Sequence, residues 1–198
     1  MKLYLNDASP YARLVRVLLI ETGLDRETEL VLLDPWASPE ALLAANPAAK
    51  VPALLLDDGA CLIESACIAD YLIRRSGRAL LAPAAHADAA VRLQILGLGR
   101  AAIDCAFGAV IQQRFAPGSP LIERWLAALP RIADRLETLY AAKPGTAPCD
   151  QADLTVAVAF GYVDFRLPQI AWKSATPHLA KRLLVVGERA SLKTTRPR

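Results

Sequence analysis

One short polar motif near the amino terminus, Ser9-Pro10-Tyr11, lies between an apolar run and a segment of helical spacing. Serine is a preferred helix N-cap and proline suits the first helical position, so capping alone accounts for the pair. A hydroxyl at the positive end of a helix can also donate a hydrogen bond to an anion such as a thiolate. By itself the motif favours capping and leaves the second role open.

A second motif, Val51-Pro52, stands directly before the apolar run ALLL. Proline has no N–H for a sheet ladder and is found at first strand residues, at edges and at bulges. A cis peptide bond would turn the backbone of Val51 outward, leaving its N–H and C=O to pair with an extended peptide. Because only about 5% of X–Pro bonds are cis, an ordinary trans proline at the start of a strand is favoured.

A third motif, Ile63-Glu64-Ser65, marks the point where an apolar run gives way to helical spacing. Uncapped N–H groups of a first helical turn bind carboxylates, and Ser65 Oγ adds a donor. Glu64 can accept a hydrogen bond from a ligand ammonium group. Capping is again the alternative, since serine and glutamate are common first-turn residues.

Together the three motifs indicate more than each does alone, because each falls at the carboxyl end of a strand or the amino end of a helix. Such ends line one cleft when the strands belong to one sheet. The cleft would offer a stabiliser for a thiolate, a backbone that pairs with an extended chain, and a site for an α-amino acid. These are the requirements of one tripeptide, glutathione.

The elements that would position these motifs alternate between strand and helix up to residue 77. The patterns predict a strand at 2–5, a helix from Tyr11 closed by Gly23, a strand at 27–33, a helix at 39–46, a hairpin about Asp58-Gly59 within 51–63, and a helix at 64–77. A strand–helix–strand unit followed by a hairpin and a helix implies a mixed four-stranded sheet with helices on its faces.

No strand pattern follows from Ala84 onward. Residues 86–115, 119–141 and 153–165 are rich in alanine and leucine at helical spacing. The predicted fold class is therefore α/β plus all-α. We place an α/β domain at 1–76, a linker at 77–85 and an all-helical domain at 86–198.

Composition excludes several classes of protein. Hydrophobic residues make up 54% and charged residues 22% of the 198 residues, which excludes intrinsic disorder. The net charge of +3 comes from interspersed signs without a basic block, so no nucleic-acid partner is expected. Uninterrupted apolar runs fall far short of the ~20 residues of a spanning helix, and MKLYLND does not resemble a signal peptide. We expect a cytoplasmic protein with no membrane partner.

The four cysteines, at positions 61, 67, 105 and 149, do not have the spacing of a redox pair or a zinc site. With two histidines in the chain, no metal is expected. Buried, reduced thiols that act as small hydrophobic residues are the favoured interpretation.

Two stretches, SPYARLVRVLL from Ser9 and NPAAKVPALLLDDGACLIESACIADYL from Asn46, resemble the amino-terminal half of the glutathione S-transferases, specifically the bacterial serine-type members. CDQADLTVAVAFGYVDFRLP at 149–168 is similar to the family's sixth-helix region, and the resemblance reaches the tail at RASLKTTRP. It covers nearly the whole chain, with the motifs in the family's order. It implies a thioredoxin-like glutathione-binding domain followed by a helical bundle.

The resemblance also implies roles for individual residues. Ser9 would hydrogen-bond the glutathione sulfur as the catalytic residue, and Val51 before a cis Pro52 would pair with the cysteinyl backbone. Glu64 and Ser65 would hold the γ-glutamyl end. Plausible neighbours of the glycyl carboxylate or of the substrate are Arg13, Trp36 and Lys50. The hydrophobic substrate site is not carried over from the family. Its candidate wall residues on the long helix are Arg100, Asp104, Phe107 and Arg114, for which a solvated or dimer-facing stripe is an equal alternative.

The resemblance makes Asp150 and Asp153 the amino-terminal cap of the buried sixth helix, where relatives more often have serine or threonine at the first of these positions. Aspartate caps equally well. The segment KRLLVVGERASLK departs further, because relatives usually place aromatic residues and a proline there. The departures are Arg182, Leu183, Ala190 and Leu192, and they predict different packing of the last helix.

The activity implied by the resemblance is conjugation of glutathione, as co-substrate, to a small, hydrophobic electrophile in detoxification, by a cytoplasmic homodimer without a metal. A glutathione-dependent thiol reductase, lyase or peroxidase on the same fold is one alternative, although a reductase would need cysteine at position 9. A non-catalytic protein that binds glutathione or another ligand is the other, since fold alone does not determine activity.

Overall fold

The computed structural model describes residues 1–78, 86–142 and 148–197. Packing divides the chain into two units, Met1–Ala79 with Pro197–Arg198, and Leu80–Arg196. Of the linker proposed at 77–85, all but the first two residues lie outside the described residues.

The first unit is built on a small mixed sheet. Its elements are β1 (Lys2–Leu5), α1 (Pro10–Thr22), β2 (Glu29–Leu32), α2 (Glu40–Ala45), β3 (Ala53–Leu55), β4 (Cys61–Ile63) and α3 (Ser65–Ser76), with short 3₁₀ turns at Asp25–Glu27 and Pro35–Ala37. The strand order is β2-β1-β3-β4, with β1 parallel to β2 and antiparallel to β3, and β3 antiparallel to β4. The predicted four-stranded mixed sheet is confirmed. The second strand is shorter than predicted, because the chain first makes the turn at Asp25–Glu27.

Alternation along β1 gives this sheet two buried faces. Tyr4 packs with Leu42 of α2 and with Ala53, and all three are buried. Leu3 and Leu5 point to the opposite face, where they are also buried. Helix α1 packs against α3. It ends where Gly23 takes a φ of 77°, a left-handed conformation that suits glycine.

The second unit contains helices alone among its described residues. They are α4 (His86–Phe115), α5 (Pro120–Ala141), α6 (Gln151–Arg166), α7 (Pro177–Gly187) and α8 (Ala190–Thr194). Helix α4 packs against α5 and α6, and α7 also packs against α5 and α6. Every residue from 152 to 160 in α6 is buried, so this helix forms the centre of the unit. The predicted α/β plus all-α fold class is confirmed.

Helix α4 combines great length with an apolar composition. Its segment Ala89–Phe115 is long and apolar enough to cross a membrane by length and composition, a test that core helices of soluble proteins also pass. Here α4 closely approaches α6, since a Cβ added at Gly99 would lie 3.0 Å from Val156 Cγ2. Packing within the helical unit buries 39% of the apolar window of α4.

Candidate functional site

The register of the sheet brings the three sequence motifs to one edge. Tyr4 pairs with Val31 on one side and with Ala53 on the other, and Ala53 pairs with Ile63. One row of residues therefore crosses all four strands. Beyond this row, the chain leaves β1 toward Ser9, enters β3 from Val51-Pro52, and leaves β4 at Glu64-Ser65. The edge so defined, which we call the motif edge, is the candidate site.

Ser9 is the N-cap of α1. Its Oγ accepts a hydrogen bond from the backbone N–H of Ala12 at 3.2 Å. Ser9 is only 9% exposed. A serine hydroxyl has two lone pairs and one hydrogen, and this cap occupies one lone pair. Capping and donation to a ligand are therefore compatible roles for Ser9 rather than alternatives.

The Val51–Pro52 peptide bond is cis. Val51 precedes the ladder pairs of β3, which begin at Ala53. Just before it, the side chain of Asn46 donates from Nδ2 to the carbonyl of Lys50 at 2.8 Å. Lys50 itself is exposed. A hydrogen bond from the buried side chain of Asn46 thus fixes the segment that leads into β3.

Glu64 and Ser65 stand at the amino end of α3. Glu64 has a φ of 65° and makes no side-chain cap bond to the helix, although it is the N-cap residue. Glu64 is exposed and Ser65, the first helical residue, is half-buried. First-turn N–H groups without a side-chain cap form a site suited to a carboxylate. The alternative, in which the Glu64 side chain serves as an ordinary cap of α3, is therefore wrong.

The two remaining predicted neighbours of glutathione in this unit differ in exposure. Arg13 lies one turn into α1, is buried, and donates its backbone N–H to the carbonyl of Ser9 at 3.0 Å. Trp36 follows β2 and is 53% exposed. Its backbone N–H donates to Asp34 Oδ1 at 3.0 Å, which fixes the turn after β2 at the motif edge.

The four predicted wall residues lie on α4, in the helical unit. Arg100 and Phe107 are half-buried, whereas Asp104 and Arg114 are exposed. The Arg114 guanidinium lies 4.9 Å from the ring centroid of Phe115. Their part in a substrate site remains a prediction.

Asp150 and Asp153 form a reciprocal capping box at the start of α6. Asp150 Oδ1 accepts from the backbone N–H of Ala152 at 2.9 Å and of Asp153 at 3.1 Å, and Asp153 Oδ2 accepts from the N–H of Asp150 at 3.3 Å. Arg92 pairs with both carboxylates. Burial, and then the Asp153 carboxylate, raise the pKa of the Tyr140 hydroxyl well above its usual value. Arg92, Tyr140 and Asp153 are buried and Asp150 is half-buried, so the capping box of α6 is held inside the helical unit.

The cysteine expectation was wrong in part. None of the four cysteines, all of which the structure describes, forms a disulfide, but Cys67 is exposed and the other three are half-buried rather than buried. Cys67 is on an outward face of α3, where apolar periodicity does not bury it. Burial raises the pKa of the Cys61 and Cys105 thiols. Among the residues that the structure describes, no group of three or more His, Cys, Asp or Glu could hold a metal ion.

A small thioredoxin-like mixed sheet and an all-helical unit define the class of the chain, and comparison with known proteins identifies its family. Residues 3–79 match the family model of the glutathione S-transferase N-terminal domain, and residues 119–181 match that of the glutathione S-transferase C-terminal domain. The chain belongs to the glutathione S-transferase family.

Three relatives show how far the similarity extends. A glutathione transferase family member from Pseudomonas fluorescens Pf-5, crystallised with bound glutathione, is 32% identical, with a TM-score of 0.88 over 100% of this chain and 98% of that one. A Pf-5 family member with bound S-(propanoic acid)-glutathione is 30% identical, with a TM-score of 0.81 and full coverage of both chains. The uncharacterised GST-like protein YibF of Escherichia coli K12 is 27% identical over 100% of this chain and 98% of its own.

Proposed function

We propose that the protein is a serine-type glutathione transferase that conjugates glutathione to a small, hydrophobic electrophile. The observation that carries the proposal is the row Val31–Tyr4–Ala53–Ile63, which places Ser9, Val51 and the start of α3 at one edge of the sheet. The relatives crystallised with glutathione and with S-(propanoic acid)-glutathione support the same ligand class.

Ser9 is the proposed catalytic residue. A thiol with a pKa near ~8.5 is mostly protonated at neutral pH, and the thiolate is the nucleophile. The Ser9 hydroxyl hydrogen and the positive end of α1 both favour the thiolate, because each places positive charge next to developing negative charge. A fall of one in the thiol pKa corresponds to ~1.4 kcal/mol of interaction.

The remaining contacts would hold the tripeptide in one direction across the motif edge. Backbone N–H and C=O of Val51, before Pro52, would pair with the cysteinyl residue. The first-turn N–H groups of α3 and Ser65 Oγ would bind the α-carboxylate of the γ-glutamyl group, and Glu64 would accept from its ammonium. Arg13, Trp36 and Lys50 are proposed neighbours of the glycyl carboxylate or of the substrate, and the two cations among them suit a carboxylate.

In the reaction, the thiol proton passes to solvent and the sulfur lone pair forms a bond to an electrophilic carbon. With a substitution substrate, the leaving group departs with its bonding pair, so no redox partner is required. We propose that the electrophile lies against α4, at Arg100, Asp104, Phe107 and Arg114. We also propose that the protein acts as a cytoplasmic homodimer. Sedimentation showing a monomer at micromolar concentration would contradict the dimer.

Glutathione affinity in two variants tests the site. Ser65→Ala removes a donor to a carboxylate, and Glu64→Gln removes the charge opposite the ammonium. Each should weaken calorimetric binding by about 1 kcal/mol or more. Unchanged affinity in both variants would place the γ-glutamyl group elsewhere.

Turnover separates the candidate activities. A transferase conjugates an aryl halide such as 1-chloro-2,4-dinitrobenzene, whereas a peroxidase consumes a small peroxide with glutathione as the reductant. A reductase would form a mixed disulfide, which serine at position 9 does not support. A chain that binds immobilised glutathione and turns over none of these substrates is a binding protein, and the proposed reaction is then wrong.

A further inference from the structure

The side chain of Asn6 connects the segment that carries Ser9 with the chain that leaves β2. Its Nδ2 donates to the carbonyl of Leu33 at 3.2 Å, between residues 27 apart in sequence. Its Oδ1 accepts from the backbone N–H of Ala8 at 3.0 Å. Its own carbonyl accepts from the N–H of Ser9 at 3.1 Å. Asn6 therefore accepts hydrogen bonds from the backbone N–H groups of Ala8 and Ser9, the two residues directly before α1.

The bond to Leu33 attaches this turn to the sheet. The backbone N–H of Leu33 donates to the carbonyl of Leu5 at 3.0 Å, which continues the parallel pairing of β1 with β2 by one residue. The Leu33 carbonyl then accepts from Asn6. The hydrogen bonds within the turn fix its local backbone conformation. The bond to Leu33 also fixes the position of the turn relative to β2.

Asn46 makes the same three kinds of bond in the segment before Val51. Nδ2 donates to the carbonyl of Lys50 at 2.8 Å, Oδ1 accepts from Ala48 N–H at 3.0 Å, and the backbone carbonyl accepts from Ala49 N–H at 2.9 Å. Its side-chain donor reaches four residues along the chain rather than to another strand. Asn6 and Asn46 thus make the same kinds of hydrogen bond, and each lies in a segment that carries a different proposed glutathione contact.

We propose that Asn6 is a positioning residue for Ser9. By holding the turn to Leu33, it sets where Ser9 Oγ lies and therefore how well the hydroxyl aligns with the glutathione sulfur. Hydrogen bonds weaken steeply as their angle departs from linear, and those to a charged acceptor have most to lose. The inference rests on the proposed function, since Asn6 has this part only if Ser9 donates to the thiolate.

The test compares Asn6→Ser with its matched control, Asn46→Ser. Serine retains a weaker acceptor for the turn but does not reach the carbonyl that the asparagine amide holds. Ultraviolet thiolate absorbance of the glutathione complex is measured against pH, and glutathione affinity by calorimetry. In Asn6→Ser, we expect a thiolate fraction at neutral pH about three- to tenfold below the parent's, with affinity within about twofold. In Asn46→Ser, we expect the affinity to fall and the thiol titration to remain that of the parent.

Two outcomes would overturn the inference alone, given a parent complex with a lowered thiol pKa. One is an Asn6→Ser complex that titrates as the parent does. The other is an equal rise of the thiol pKa in Asn6→Ser and Asn46→Ser, which would indicate general loosening of the unit. A parent complex that titrates like free glutathione overturns the proposed role of Ser9 and this inference with it.

A double-mutant cycle shows whether Asn6 acts through Ser9. In the Ser9→Ala background, Asn6→Ser should leave the thiol pKa where Ser9→Ala alone puts it. An equal rise in both backgrounds would overturn the inference. Asn6→Asp replaces Asn6→Ser if that variant does not fold, because it preserves size and the Oδ1 acceptor. Its added charge acts with or without Ser9, so only a larger rise when Ser9 is present supports positioning.

Discussion

Arg182 and Asp153 meet at two points inside the helical unit. Nε of Arg182 donates to Oδ1 at 3.2 Å and Nη2 donates to Oδ2 at 2.7 Å. The Asp153 side chain is fully buried and that of Arg182 is 10% exposed. Tyr140 donates its hydroxyl to Oδ1 at 2.9 Å, and Arg92 lies 3.1 Å from Oδ2. One carboxylate therefore connects α4, α5, α6 and α7.

Arg182→Ala should lower the free energy of unfolding by about 2–3 kcal/mol, because a buried carboxylate loses its two-point partner while Arg92 remains. Urea denaturation measures the change. The control is Lys193→Ala, which removes a bond from Lys193 Nζ to Glu188 Oε2 of 2.6 Å between exposed side chains and should hardly move the midpoint. Equal midpoints for the two variants would contradict a stabilising role for Arg182.

This cluster marks a limit of prediction from sequence. Asp150 and Asp153 have capping-box spacing, which depends on neighbouring residues alone. Arg92 precedes Asp153 by 61 residues and Arg182 follows it by 29. Nothing in helical periodicity pairs charges over such distances, and arginine is ordinarily expected at the surface. The departure at Arg182 was visible in the sequence, but its partner depends on how α7 packs.

The sheet was more predictable than the arrangement of its edge. Local signals gave the elements, such as Gly23 for the end of α1 and Asp58-Gly59 for the hairpin. Register depends on pairing between strands, so the row through Tyr4 and Ala53 required the structure. Base rates favoured a trans Pro52, whereas the family resemblance implied the cis bond that the structure contains.

Gly108→Ala should lower the free energy of unfolding by about 1–3 kcal/mol, because overpacking displaces a ring. A Cβ at this position would lie 2.8 Å from Trp125 Cζ3 and 2.9 Å from Cε3. Gly97→Ala on the same helix meets nothing within 4 Å and should instead gain about 0.5–1 kcal/mol from helix propensity. Thermal unfolding of both variants measures the difference, and the same sign of change in both would contradict the close approach of α4 to Trp125.

Glu137 should make stability depend on pH. Its carboxylate accepts from the N–H of His178 at 3.1 Å and of Leu179 at 2.8 Å, which caps α7 from α5. Burial raises the pKa of Glu137, but the bonds from Leu179 and His178 together outweigh burial and lower it. The unfolded chain therefore binds this proton more tightly, so the stabilisation is present above the ordinary carboxyl range and is lost as pH falls through the lowered pKa.

The corresponding variant is Glu137→Gln. Its free energy of unfolding should lie below the parent's at neutral pH, and the difference should shrink as the pH falls below about 4. Urea denaturation at a series of pH values gives both curves. A difference that is constant across the series would show that the charge of Glu137 is not what caps α7.

Ala49→Gly should raise the free energy of unfolding by about 0.5–1 kcal/mol. Ala49 has a φ of 53°, where a Cβ is strained and glycine is not. The neighbouring Ala48→Gly variant has no such strain to relieve, so it should lose a similar amount through the entropy of the unfolded chain. Destabilisation by both glycines would contradict the left-handed conformation at Ala49.

We propose that Ser9, which caps α1, also donates to the glutathione thiolate. The direct measurement is ultraviolet thiolate absorbance of the glutathione complex against pH, for the parent and for Ser9→Ala. We expect the alanine variant to bind glutathione almost as well as the parent, with a raised thiol pKa and slower conjugation. Superimposable titration curves would contradict it, because Ser9 would then be a helix cap and the group that activates the thiol would lie elsewhere.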